Sequence, residues 1–288
     1  MIKAIIMDVD GVIVGKKLGI NFPLPNEKVI ETLKKVRQQG IPIILCTAKF
    51  NYAIHEIIKS AELKNPHITD GGALILDLIS NKTITKHVFD KGLAKDISSS
   101  CISKNIYLEA YDVDDYFVQK SQVNVLTKRR TELLQKDPKL PDMLQDQIDM
   151  VDMIKFISFA ENEDGKAKIE KALTHLNTNI NLMWSEHPAF FPMKFGIITI
   201  KGVSKKHASL EVLEYLKISP SETLGIGDLL SDWNFIEICK YAGTVGDHSP
   251  EFKKLTQTKG EGKFFHGSSV DENGFIDIIN YFKHVSIQ

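Results

Sequence analysis

The chain has 288 residues, with 36 Lys and Arg against 37 Asp and Glu and a formal net charge of −1. That balance argues against nucleic acid or an anionic membrane surface as a bulk partner, and the length allows one large domain or two ordinary ones. Three cysteines, Cys46, Cys101 and Cys239, lie far apart with no Cys-x-x-Cys, which argues against a disulfide framework or a cysteine zinc site and suits a reducing compartment. No apolar stretch approaches the ~20 residues of a membrane span. The apolar run at the amino terminus is too short for a signal peptide and is interrupted by Asp8. A cytoplasmic protein is expected, acting without nucleic acid or membrane, as a monomer or homodimer.

The first dozen residues read MIKAIIMDVDGV. A short Ile-rich run that stops at Asp8-Val9-Asp10-Gly11 predicts a buried parallel strand. Asp8 and Asp10 stand at i and i+2, so both carboxylates leave a strand end on one side. Two acids so close are costly unless a cation or a proton is held there. A glycine- and proline-bearing loop follows, then Asn26 as an N-cap. Val29, Ile30, Leu33 and Val36 keep helical spacing up to Gly40. Residues 41–46 predict a second buried strand ending in Thr47-Ala48-Lys49. A helix over about 52–60 leads to residues 66–69 and then Asp70-Gly71-Gly72. The order β-loop-α-β-α-β is that of a doubly wound sheet.

From about 80 to 195 the rhythm changes. Strand-like runs at 83–88, 106–110 and 154–159 and helical patterns near 91–102, 140–150 and 165–176 do not alternate, which predicts an inserted α+β domain. A hairpin is signalled at Ser80-Asn81. Lys128-Arg129-Arg130 reads as a solvated face. Trp184 and the following Ser185-Glu186-His187-Pro188 either pack in the core or line a substrate cleft. From Gly196 the α/β rhythm resumes, with a strand at 197–200 and a loop Lys201-Gly202-Val203-Ser204-Lys205. A helix through Leu216 follows, then a strand at 223–226 ending in Gly227-Asp228-Leu229-Leu230-Ser231-Asp232. A helix to Cys239, a strand at 241–245 ending in Gly246-Asp247-His248, a short strand at Phe264-Phe265 and a helix from Gly274 to His284 close the chain. The expected organisation is a Rossmann-like doubly wound parallel core, residues 1–79 and 196–288, with a cap at 80–195.

Asp8, Thr47 and Asp228 fall just after apolar strands, and Lys205 lies between a strand and a helix. One rim of a parallel sheet would hold all four. Asp8 and Asp228 offer hard oxygen ligands that suit Mg²⁺. Lys205 can balance the carboxylates and touch a phosphate, and Thr47 with amides at a helix start can hold a phosphate oxygen. Phosphoryl transfer needs little beyond positioning and charge neutralisation. One carboxylate can be the covalent nucleophile, and Asp10 can donate a proton to the leaving group and later take one from water. Gly225-x-Gly227 lacks the third glycine of a dinucleotide fingerprint.

Taken together, DVDGV, Thr47, KGVSK at 201–205 and GDLLSD at 227–232 resemble the four motifs of haloacid dehalogenase superfamily hydrolases of the Cof type, with the large α/β cap of type IIB. The resemblance implies Asp8 as nucleophile and metal ligand. It implies Asp10 as acid/base whose backbone carbonyl also faces the metal, Asp228 as the other protein ligand and Asp232 in support. Thr47 and Lys205 would hold the phosphoryl group, and Ala48, Lys49 and Gly71 would bind substrate. Trp184 and Glu186 in the cap are the expected specificity residues. There are four departures from the family pattern: Ala48-Lys49 for Gly-Arg, Gly71 for Asn, Ser231 for Asn, and Asp247-His248 for Asn-Ala. The implied function is a Mg²⁺-dependent phosphatase acting on a small phosphorylated metabolite, a sugar phosphate first of all. A phosphomutase on the same fold or a weakly catalytic phosphate-binding protein are the alternatives.

Overall fold

In the computed structural model, which describes residues 1–186, 190–246 and 249–285, the chain forms two units. The first is Met1–Thr85 with Ser204–Gln288, and the second is Lys86–Val203. Up to the first crossing the elements are β1 (Ala4–Met7), α1 (Glu27–Gln38), β2 (Ile43–Leu45), α2 (His55–Ala61), β3 (His67–Thr69), β4 (Leu74–Asp77) and β5 (Lys82–Lys86). The insert holds α3 (Lys91–Ile102), β6 (Leu108–Tyr111), β7 (Tyr116–Val118), α4 (Val125–Leu134), α5 (Leu144–Met150), β8 (Lys155–Ala160), α6 (Glu163–Leu173), β9 (Ile180–Glu186) and β10 (Lys194–Ile200). The return supplies α7 (Lys205–Leu216), β11 (Thr223–Gly227), α8 (Trp233–Ile236), β12 (Tyr241–Val245), α9 (Pro250–Gln257), β13 (Phe264–Gly267) and α10 (Gly274–Val285).

The main sheet has the order β13-β12-β11-β1-β2, and its pairings are parallel. Its strands are apolar on both faces because both faces are covered. Ile5, Met7, Ile43, Leu45, Leu224 and Ile226 pack with α1, α2 and α10. Ala4, Ile6, Ile44, Cys46 and Ala242 pack with α7, α8 and α9. This double burial is why the strands read as continuous apolar runs. Asn26 caps α1 through its side chain, which accepts from Val29. β3 continues the sheet past β2 through a parallel bridge between Cys46 and Ile68, and it turns back as the antiparallel β4.

The insert is built on a sheet of order β7-β6-β8-β10-β9. Leu108, Ala110, Phe156, Ala160 and Ile198 face α3, α5 and α6 in one core. On the alternate positions, Glu109 and Tyr111 meet Arg130 of α4. Arg130 Nε lies 3.0 Å from Glu109 Oε1 and 3.1 Å from Oε2, and Nη2 donates to Tyr111 Oη at 2.8 Å. Its guanidinium also stands over Phe159, Phe190 and Phe195. Glu109 is fully buried and Arg130 is 4% exposed, so neither charge has water to fall back on. Burial works against the guanidinium charge, but Glu109 and Tyr111 outweigh it and raise the Arg130 pKa. Arg130→Met leaves an uncompensated buried carboxylate, and a loss of about 3–5 kcal/mol is expected. Urea unfolding should show it. A shift within ~0.5 kcal/mol, the usual surface value, would mean the pair is not buried in solution.

Several expectations are corrected here. The strand at 197–200 is the end of β10, which pairs antiparallel with β8 and β9 in the inserted sheet, not with the main sheet. The hairpin at Ser80-Asn81 joins β4 to β5 in the first unit. Both crossings therefore lie a few residues later in the chain than the expected 79/80 and 195/196. Arg130 is buried rather than part of a solvated face, because Glu109 on a strand distant in sequence receives it. α4 and β7 were not foreseen. The expected helix to Cys239 is the single turn of α8. No helix among the described residues is long and apolar enough to cross a membrane.

Candidate active site

The strand order β11-β1-β2 sets Asp228, Asp8 and Thr47 side by side just past the carboxyl ends of neighbouring strands. Lys205 reaches them from the first residue of α7, where the Ser204 side chain caps the helix. It lies within the helix and not on the preceding loop, as the sequence had suggested. Its Nζ is 2.8 Å from Asp8 Oδ2 and 2.9 Å from Asp232 Oδ1. Asp8 Oδ1 accepts the Val9 amide at 2.8 Å. Asp232 Oδ2 accepts the amides of Asp228 at 3.2 Å and Leu229 at 3.3 Å. Asp232 thus holds both the ammonium and the turn that carries Asp228.

One oxygen each of Asp8, Asp228 and Asp232 lie within 4.8 Å of one another. Burial first, then Asp232 and Asp10, push the Asp8 carboxyl up to about 7 against the lowering effect of Lys205. Burial, Asp232 and Asp8 hold Asp228 well above the carboxylate range. Burial opposes the Lys205 charge, yet Asp232 and Asp8 raise it well above its usual value. Asp228 Oδ1 is buried and has no hydrogen-bond partner among the described residues. A buried carboxylate oxygen without a partner is costly unless a cation or proton sits on it. The donor set is all oxygen and carries more negative charge than one ammonium neutralises, so it fits a hard divalent cation.

Gly11 is required by this geometry. Its φ is +74°, and a Cβ there would lie 1.8 Å from Asp228 Oδ2. Only the residue without a side chain lets the Asp10 turn pass the second acidic loop. Gly72, at φ +104°, likewise passes the Ser204 carbonyl, which a Cβ would meet at 2.4 Å.

Thr47 is 1% exposed, and its Oγ1 accepts the Lys49 amide at 3.1 Å. It does not stand at a helix start as expected. A stretch through Phe50 and a single turn at Asn51–Ile54 separate it from α2. The Gly71 amide donates to the Thr47 carbonyl at 3.1 Å, so that donor ties the turn to the strand end. Lys49 Nζ lies 2.7 Å from Asp10 Oδ1. Ala48 is half-buried beside it.

Trp184 belongs to the inserted unit and is engaged there. Its Nε1 donates to Glu170 Oε1 at 2.9 Å, Lys166 stands over its ring, and it packs on the helix-covered core. The packing reading of Trp184 is therefore the one its contacts support. The backbone of Glu186 pairs with Lys194 in β9–β10. The Glu186 side chain and residues 187–189, as well as Asp247 and His248, lie outside the described residues. Sequence reasoning missed two features of the site, the Lys49 contact with Asp10 and the amide bonds to Asp232. The second had a signal, since an acid four residues after Asp228 can return to cap that turn.

A family model described as haloacid dehalogenase-like hydrolase matches residues 5–260. Phosphoglycolate phosphatase of Staphylothermus marinus is 21% identical over 261 residues, which cover 88% of this chain and 89% of that protein. Among solved structures, a haloacid dehalogenase-like hydrolase from Bacteroides thetaiotaomicron superposes with a TM-score of 0.81 at 18% identity, covering 97% of this chain and 99% of that one. A sugar phosphatase of haloacid dehalogenase subclass IIB superposes with a TM-score of 0.76 at 19% identity, covering 99% and 100%.

Proposed function

Because the chain belongs to the haloacid dehalogenase-like hydrolases, we propose that it is a Mg²⁺-dependent phosphatase. Its substrate would be a small phosphorylated metabolite, a sugar phosphate first of all, cleaved through an aspartyl phosphate on Asp8. The observation that carries this reading is the convergence of Asp8, Asp228 and Asp232, with Lys205 on the first and last of them and a buried Asp228 oxygen left without a partner. The phosphatase names of relatives at low identity and the subclass IIB sugar phosphatase of like fold support it.

Asp8, Asp228 and the Asp10 carbonyl would hold the cation, with Asp232 in support. When bound, the cation supplies charge neutralisation that lets an anionic carboxylate approach an anionic phosphate. A carboxylate oxygen of Asp8 forms the bond to phosphorus as the bond to the ester oxygen breaks. Asp10 gives its proton to the departing alkoxide, then takes one from the water whose oxygen attacks phosphorus. The Asp8–phosphate bond then breaks and inorganic phosphate leaves. Lys205 neutralises Asp8 and, with the Thr47 hydroxyl, would hold the phosphoryl oxygens.

The test is release of inorganic phosphate from a panel of sugar, nucleotide and cofactor phosphates with Mg²⁺. Isomerised substrate without phosphate release would overturn hydrolysis in favour of a mutase. In the same assay Asp10→Asn should lose ~10²–10⁴-fold on the best substrate, the usual worth of general acid–base help. A loss below tenfold would remove Asp10 from that role.

A further inference from the structure

We infer that Lys49 is a positioning residue for Asp10, and that its ammonium serves the acid/base step rather than binding of the phosphoryl group. The inference rests on the phosphatase reading above. Two ammonium groups serve three of the four acids of the site, and they divide them. Lys205 contacts Asp8 and Asp232. Lys49 contacts Asp10 Oδ1 at 2.7 Å.

The base of Lys49 is fixed from both sides. Its amide donates to Thr47 Oγ1 at 3.1 Å, and its carbonyl accepts the Asp70 amide at 2.9 Å. The main chain around Asp10 is fixed as well, by the Gly11 amide on the Val14 carbonyl at 2.8 Å. The Asp10 carboxylate is different. It is 39% exposed, and Lys49 is the cation paired with it among the described residues. A half-exposed carboxylate on a turn has several rotamers open to it. An ammonium carried on an anchored backbone and placed 2.7 Å from Oδ1 favours one of them. The carboxyl group so oriented is the one that exchanges a proton with the leaving group and with water.

An anion-binding residue and a positioning residue for the acid predict different kinetics. Phosphate binding is the same whatever alcohol leaves. Protonation matters in proportion to how basic the leaving oxygen is. Phenyl phosphate and p-nitrophenyl phosphate have nearly the same shape but differ in that basicity. Lys49→Met should lower kcat on phenyl phosphate by about tenfold or more and on p-nitrophenyl phosphate by less than about threefold, a fraction of the full acid–base contribution. KM for both esters and inhibition by inorganic phosphate should stay within about twofold. Lys49→Arg should recover most of the phenyl phosphate rate.

Equal losses on the two esters would overturn the inference, and so would weaker inhibition by inorganic phosphate or an unchanged rate on phenyl phosphate. Circular dichroism melting of Lys49→Met within a few degrees of the parent separates these outcomes from misfolding. If the unaltered protein hydrolyses neither ester, or if Asp8→Asn hydrolyses them as well as the parent does, the phosphatase reading itself falls. That failure is distinct from a parent that works while Lys49→Met shows the wrong pattern.

Discussion

Asp8→Asn is expected to leave no phosphatase turnover above buffer, a larger loss than the ~10²–10⁴-fold expected for the acid/base residue. The amide is nearly the same shape as the carboxylate, keeps an oxygen that can accept from Lys205 or Val9, and cannot act as a nucleophile. The variant should nonetheless fold. Burial is the first cause that lifts the Asp8 carboxyl to about 7, so the folded protein disfavours this charge despite Lys205 at 2.8 Å. Replacing a disfavoured anion by a neutral amide should not lower the melting temperature of the metal-free protein above pH 7. The paired measurement is phosphate release and thermal melting at pH 8. Residual turnover within a hundredfold of the parent would remove Asp8 as nucleophile. Inactivity with a large drop in melting temperature would mean the residue is structural.

Chelation should have an effect of the same order: EDTA is expected to abolish activity and added Mg²⁺ to restore it. Asp8, Asp228 and Asp232 converge within 4.8 Å, and Asp10 stands close by, paired to Lys49. A phosphate ester brings further negative charge. Lys205 alone does not offset it, and a bound cation then becomes the largest local charge. The pH dependence has a definite sign. The Asp8 carboxyl titrates near 3.8 when exposed and about 7 in the fold. Between these values the folded protein keeps a proton that the unfolded chain has lost. The contribution of Asp8 to the stability of the metal-free protein therefore falls as pH rises from about 4 to 7 and levels off above. Asp228, raised by burial and by Asp232 and Asp8, acts in the same direction. A cation must displace these protons, so its binding tightens as pH rises. Melting with and without Mg²⁺ should show a larger stabilisation at pH 8 than at pH 5.5. Full turnover in chelator, or a Mg²⁺ shift of equal size at both pH values, would sink this account.

Asp8, Thr47 and Asp228 were readable as residues at strand ends, and Lys205 as a residue between a strand and a helix. The reading worked because both faces of the main sheet are covered, so each strand announces itself as an apolar run that stops at a polar residue. β1, β11 and β12 are fully buried along their length, and Asp8 and Asp228 follow the first two. The insert was harder for the same reason in reverse. One face of its sheet carries Glu109, Tyr111 and Lys155, so its strands show neither a clean apolar run nor a clean alternation. Arg130 looked solvated because its local neighbours are charged, and nothing within a turn of it reveals Glu109.

Sequence alone determined the doubly wound order of elements and marked Asp8, Asp10, Thr47, Lys205 and Asp228 as candidate site residues, while Asp232 entered through the family resemblance. The order of elements and the five candidates follow from local periodicity and from residue types whose chemistry does not depend on distant partners. The tertiary structure decided how those residues divide their contacts. Lys205 went to Asp8 and Asp232, Lys49 to Asp10, the Gly71 amide to Thr47, and Trp184 to α6 within its own unit. It also assigned the strand that precedes Lys205 to the inserted sheet. Each of these is a choice among partners far apart in the chain, settled by which strands lie side by side and which atoms then fall within hydrogen-bond reach.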